Sequence, residues 1–194
     1  MAFISSTDLK TKLDLGVSDT KYDTLLSGLA TAVLSIWDKL TGMTWARTAH
    51  TEYHNIAKYQ STVFLKNKNV DSAETFSLYN DPDWEYTSDD LVDTDEYTVD
   101  YDEGIVYRDT NFWEGKRALK VIYTAGYTDA ACPAWLKEIL IRQACEWFKQ
   151  DKEGRWAIAS LSQPGGSSLN YKDLEDNFLP EFLLMVDDNK RTVS

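Results

Sequence analysis

Tyr22, Leu25, Leu26, Leu29, Val33, Ile36, Trp37 and Leu40 recur at spacings of three and four, and the same period returns in Trp135, Leu136, Ile139, Leu140, Ala144, Trp147 and Phe148. Such a pattern is one apolar face of a helix. Between these two stretches, residues 44 to 127 change to short runs rich in Val, Thr, Tyr, Phe and Trp, broken by Asn, Asp, Gly and Pro. That texture belongs to antiparallel strands. The expected fold is therefore α+β: an N-terminal helical hairpin and a C-terminal helix forming a helical bundle, with an antiparallel β insert between them.

The boundaries follow from local chemistry. Ser6 or Thr7 is the expected cap of a first short helix bearing Leu9 and Leu13, Gly16 stops it, and Ser18 or Asp19 caps the second. Gly42 ends that second helix, since glycine takes the left-handed C-cap conformation readily. Strands are expected at 48–54, 62–65, 74–79, 96–101, 104–108 and 118–123, with a tight turn at Asp102-Glu103-Gly104. Pro133 opens the returning helix, because its missing N–H has no partner there in any case. After Gly154 the chain reads as loose, with a hinge at 163–168 and a short helix from Pro180. The organisation is thus a helical core of residues 1–43 and 132–158, a β module of 44–127, and a hinge with an apolar C-terminal segment over 159–194.

The 194 residues carry 32 acidic and 20 basic side chains, a net charge of -12. Such a surplus argues against gripping nucleic acid or anionic lipid by bulk electrostatics. Residues 71–109 alone hold fourteen of the acids against Arg108, a net of -13, so the rest is nearly neutral. The acidity belongs to one insert, 71–109, which is expected to be exposed. No apolar run of about 18 residues is present to span a bilayer, and the opening MAFISSTDLK has neither the basic nor the apolar region of a signal peptide. A soluble chain made in the cytoplasm, with no membrane partner, is expected.

Candidate chemistry is thin. Dense carboxylates and seven tryptophans fit a calcium- or carbohydrate-binding β module with helical flanks, the alternative reading. Yet neither 93–96 nor 100–104 has the ligand spacing of an EF-hand, and no pair of carboxylates is placed for glycoside hydrolysis by spacing alone. His50 and His54 share one face of a strand and read as partly buried polar residues. Cys132 and Cys145, thirteen apart, are too distant for a disulfide along a continuous helix and read as buried thiols. No spacing for a metal site, nucleophile elbow or phosphate loop occurs, and no cofactor is called for.

The order and wording of the segments are more telling. The helical hairpin ends in Leu40-Thr41-Gly42, and the β insert contains Glu96-Tyr97-Thr98-Val99-Asp100. These precede Leu119-Lys120-Val121-Ile122-Tyr123-Thr124-Ala125-Gly126-Tyr127 and Cys132-Pro133-Ala134-Trp135-Leu136-Lys137. Together they resemble the head-tail connector (head-completion or adaptor) proteins of tailed bacteriophages. The resemblance runs over nearly the whole chain, and the acidic insert is longer and more charged than the family pattern.

The resemblance implies a structural virion protein and not an enzyme. It implies a ring of copies, commonly twelve, beneath the portal protein, which extends the channel for double-stranded DNA and gives a platform to a downstream connector (stopper) or the tail. Within that frame the apolar Phe178, Leu179, Phe182, Leu183, Leu184 and Val186 are expected to dock on the portal. Lys66 and Lys68, set in a polar loop, become a circle of positive charge near passing DNA.

Overall fold

The computed structural model describes residues 3–152, 158–161, 169–171 and 177–191. In chain order the elements are α1 (Ser6–Lys12), α2 (Asp23–Thr41), β1 (Thr48–Ile56), β2 (Thr62–Phe64), β3 (Ser77–Asn80), β4 (Tyr97–Asp100), β5 (Ile105–Arg108), β6 (Gly115–Ala125), α3 (Ala134–Lys152), β7 (Ile158–Leu161), β8 (Leu169–Tyr171) and α4 (Pro180–Asp188), with a single 3-10 turn at Ser88–Asp90. The chain divides into two compact units, one of Met1–Thr41 with Ala131–Lys190 and one of Gly42–Ala130 with Arg191–Ser194. The α+β class stands as expected.

In the first unit, α1 starts one residue earlier than anticipated because Ser5, not Ser6 or Thr7, caps it. The Asp8 amide donates to Ser5 Oγ at 3.2 Å and the Ser5 amide donates to Asp8 Oδ2 at 2.7 Å. That reciprocal pair requires an acid three residues after the cap, and only Ser5 has one. Most of the periodic residues do what their spacing predicts: Leu26, Val33 and Trp37 of α2 and Leu136, Ile139, Leu140 and Trp147 of α3 are buried, as are Phe182 and Val186 of α4, whereas Leu25 and Trp135 of the same stripes are exposed. Lys10 is buried too; its ammonium donates to the Val17 carbonyl at 3.1 Å and pairs with Asp23.

Two differences concern the stretch after α3. The helix ends at Lys152, and Ile158 already belongs to the antiparallel pair β7–β8, where the sequence reads as loose. Short paired strands without a clear alternating pattern give little signal before their partner is known. The expected hinge at 163–168 lies outside the described residues. No helix among the described residues is long and apolar enough to cross a membrane.

The second unit holds two three-stranded antiparallel sheets, ordered β1-β6-β3 and β2-β5-β4. Their inner faces share one core: Leu78, Leu119, Val121 and Tyr123 from the first sheet meet Val63, Leu65 and Val106 around it. The β4–β5 turn closes on Gly104 at φ +64°, and a Cβ there would sit 2.4 Å from the Asn67 carbonyl oxygen. Gly126, at φ +96°, lets the chain leave β6 directly beneath Trp45 and Ala46. β6 itself begins at Gly115, three residues before the expected start.

Candidate assembly surfaces

Helix α4 is fixed from its buried side. Trp37 packs edge-on against Phe182 at 5.3 Å between centroids, Phe182 stacks on Phe178 at 5.6 Å, and Phe178 meets Trp147 at 5.8 Å. The entry to the helix is held by polar contacts. Buried Gln143 donates to the Asn177 carbonyl at 3.1 Å and accepts from the Leu179 amide at 2.8 Å, and Trp147 Nε1 donates to the same carbonyl at 2.8 Å. Of the six apolar residues expected to dock outward, Phe182 and Val186 are therefore core residues. Phe178, Leu179 and Leu183 are half-buried, and Leu184 stands out at 63% exposure.

Lys66 and Lys68 flank buried Asn67, and the strand-edge network beneath them explains their placement. On β1, residues 50, 52 and 54 share the inward side, as alternation requires. Tyr123 donates its hydroxyl to Glu52, and Asn67 Nδ2 donates to that hydroxyl at 3.1 Å. The Lys66 amide donates to Glu52 Oε2 at 3.0 Å, and His54 Nε2 lies 3.1 Å from the same oxygen. Asn67 Oδ1 accepts from the Thr44 amide at 2.7 Å, so both ends of its amide are used. His50 tilts over the Tyr123 ring at 5.3 Å. The side chain of Lys68 pairs with Glu103 at 2.7 Å, whereas Lys66 is exposed and has no ion pair among the described residues.

This network titrates. Burial alone would raise the Glu52 carboxyl, but hydrogen bonds from His54, Tyr123 and the Lys66 amide hold it below its ordinary value. Burial pushes His50 down, against the pull of Glu52. Both groups have lowered folded-state values, so each contributes stability that is complete above its unfolded value and is lost as pH falls through the folded one. The second unit is expected to weaken as pH falls below 6.5, where His50 charges only when unfolded, and again below 4.5 as Glu52 protonates. Urea midpoints measured against pH check this: Glu52→Gln should shrink the lower step, leaving the part that Asp71 and Asp81 contribute below 3.8, and keep the upper, and a flat wild-type profile would refute the assignment.

The acidic insert is less a uniform field than a set of loop anchors. Buried Asp81 accepts from the amides of Asp83, Glu85 and Tyr86, Asp90 from Thr87, and Asp100 from Glu103. The Tyr86 amide above all, with those of Asp83 and Glu85 and against burial, holds the Asp81 carboxyl below its ordinary range. Glu96 pairs with Arg108 at 2.5 Å, and Asp71 and Glu74 pair with Arg47. The fragments weighed for calcium, 93–96 and 100–104, are turns closed by backbone hydrogen bonds. Among the described residues no group of three or more His, Cys, Asp or Glu is placed to hold a metal ion. Asp89, Asp90, Asp93 and Glu96 nevertheless line, with Asn80 and Arg108, a half-open cavity of about 260 Å³ beside β3.

Both cysteines are buried, Cys132 just before α3 and Cys145 within it. Burial pushes the Cys145 thiol up to about 11, which leaves it unreactive at neutral pH.

One cluster escaped the sequence reading. On the outer face of the β1-β6-β3 sheet, the Arg117 guanidinium lies 4.2 Å from the Tyr53 ring centroid, and Lys120 lies over both Tyr79 and Tyr86 at 5.1 and 5.2 Å. Trp84 Nε1 donates to the Lys116 carbonyl at 2.5 Å and the Tyr86 hydroxyl to that of Arg117. The signal was the basic run Lys116-Arg117-Ala118-Leu119-Lys120, divided by placing the strand start at 118.

No known protein family and no curated protein matches this sequence. Solved structures do. A chain in the neck of an empty gene transfer agent particle, computed with sixfold symmetry, superposes with a TM-score of 0.63 at 11% identity, over 98% of this chain and 91% of that one. A chain of the native gene transfer agent virion gives 0.61 at 12% identity, over 98% and 91%. A chain of the native neck computed with twelvefold symmetry gives 0.59 at 11%, over 100% and 94%. This chain shares their fold from end to end.

Proposed function

We propose that this chain is a structural virion protein of the head-tail neck, an adaptor that forms a ring beneath the portal. The ring extends the DNA channel and offers a platform to the next connector or the tail. The observation that carries this reading is the fold likeness to neck chains over more than nine-tenths of both partners. The neighbours' necks were computed with sixfold and twelvefold symmetry, which supports a dodecamer here. The role is assembly rather than catalysis, in the virion and, before assembly, in the host cytoplasm.

In such a ring Lys66 and Lys68 stand near the channel. Lys68 is already paired with Glu103, so Lys66 carries most of the attraction. Double-stranded DNA passes without being held, because a chain of net charge -12 offers no continuous basic track.

Portal docking falls to α4, with Leu184 as the outward anchor, Phe178, Leu179 and Leu183 beside it, and Phe182 and Val186 fixing the helix. Removing the whole segment would open the core, so a point change is the cleaner test. Leu184→Glu is expected to keep the thermal transition and weaken binding to the portal by about tenfold or more. Co-sedimentation with the portal and electron microscopy of the mixture measure it. Undiminished binding would sink the docking role of α4; failure of the wild type to form a ring on the portal would sink the adaptor reading itself.

A further inference from the structure

Arg191 follows the end of α4 by three residues and is where the chain re-enters the second unit. Its side chain is only 8% exposed, although a guanidinium keeps its charge at any ordinary pH. Nε and Nη2 donate to the Leu65 carbonyl at 3.1 and 2.9 Å, and Nη2 donates again to the Gly104 carbonyl at 3.2 Å. The Glu103 carboxylate lies 3.9 Å away, is 53% exposed and already holds Lys68 at 2.7 Å. Backbone dipoles more than an ion pair therefore make the burial of this cation tolerable. The main chain is seated as well, since a Cβ on Gly42 would lie 3.6 Å from the Arg191 carbonyl oxygen.

The two carbonyls belong to the residues that close the β2–β5 ladder. Its last strand pair is Phe64 with Ile105, and the next bond runs from the Leu65 amide to the Gly104 carbonyl at 2.8 Å. Beyond that point the loop of Lys66 and Lys68 is laced to the β4–β5 turn, through the Asn69 amide on Asp102 at 3.1 Å and the Val70 amide on Tyr101 at 2.7 Å. On its other side the amides of Lys66 and Asn67 donate to Glu52 and the Tyr123 hydroxyl. Arg191 thus grips the root of both loop and turn. Withdrawing it takes charged donors from two carbonyls whose residues are buried, a costly loss.

We propose that residues 189–191 are a strap that passes the docking of α4 on to the Lys66–Lys68 loop, with Arg191 as its latch. The inference rests on the portal-docking reading of α4 given above. Only Asn189 and Lys190 separate the helix from the latch, a reach of at most about 7 Å. Asn189 is itself fixed, its amide donating to the Val186 carbonyl at 3.1 Å and its Nδ2 to that of Met185 at 2.8 Å. With so little slack, a helix held by a partner keeps the guanidinium on Leu65 and Gly104 for a larger share of the time. Ordering that is already met at α4 need not be met again at the loop, which is coupling without a change of shape.

Hydrogen exchange of the full chain, alone and with portal, tests it at the amides of Leu65, Lys66, Asn67, Asn69 and Val70, with thermal melts to certify folding. Portal binding is expected to slow these amides in the wild type by about fivefold or more. Arg191→Ala should speed them about tenfold in the free chain and abolish the response to portal. Two glycines inserted between Asn189 and Lys190 keep both helix and latch. That variant should exchange like the wild type when free and lose the response to portal, which a merely structural role for Arg191 would not produce. It also carries the test alone if Arg191→Ala does not fold. Wild-type amides indifferent to bound portal, a folded Arg191→Ala that exchanges and responds unchanged, or an insertion variant that responds as the wild type does, overturn the strap and leave the docking reading standing. A wild type that does not bind portal overturns that reading first, and the strap falls with it.

Discussion

Trp37→Ala is expected to cost the helical unit about 3–5 kcal/mol, the usual range for removing a fully buried aromatic from a packed core. Trp37 has no exposed surface and touches both Trp135 and Phe182, so its loss leaves a void bordered by three elements. The neighbouring rings are fixed by their own partners, Phe182 by Phe178 and Phe178 by Trp147, and collapse into the void is resisted. Urea denaturation followed by far-ultraviolet dichroism measures the loss. A cost below about 1 kcal/mol would mean that the aromatic chain relaxes freely, contrary to the packing described.

Gly126→Ala should be nearly as damaging to the β unit, through a different cause. The new Cβ would lie 2.7 Å from the Trp45 oxygen and 2.8 Å from the Ala46 carbonyl carbon and oxygen, all main-chain atoms that cannot rotate away. Overpacking and a left-handed backbone each cost about 1–3 kcal/mol, giving a loss of roughly 2–6 kcal/mol. Gly28 is the internal control: in α2, with nothing within 4 Å of its would-be Cβ, alanine should stabilise by about 0.5–1 kcal/mol. Equal effects at the two glycines would overturn the steric argument.

Helices were the most legible part of this chain, because Leu26, Val33 and Trp37, or Leu136 and Leu140, write their burial into a fixed spacing. Strand positions were nearly as clear, but not their grouping. Val63 and Leu119 look alike in sequence, and only the register of their partners assigns them to separate sheets. The apolar C-terminal run was visible, yet its period of four, which turns Phe182 and Val186 inward and Leu184 outward, carried the distinction that mattered. The cluster of Arg117 and Lys120 with Tyr53, Tyr79 and Tyr86 was hidden for a physical reason: Tyr86 comes from a loop whose left-handed residues, Trp84 and Tyr86, are not glycine, so no glycine marks where the chain turns back over the sheet.

The two edges of the β1-β6-β3 sheet carry a last consequence. β3 is four residues long and is covered by Leu91 and Val92, whose amide donates to the Leu78 carbonyl at 2.8 Å. β1 runs nine residues, but its register with β6 slips between His54 and Ile56, where the pairing partner jumps to Gly115. A short covered edge and an interrupted one are how sheets avoid recruiting stray strands. The sheet thus carries, at both of its edges, a safeguard against amyloid-like stacking of strands from other copies.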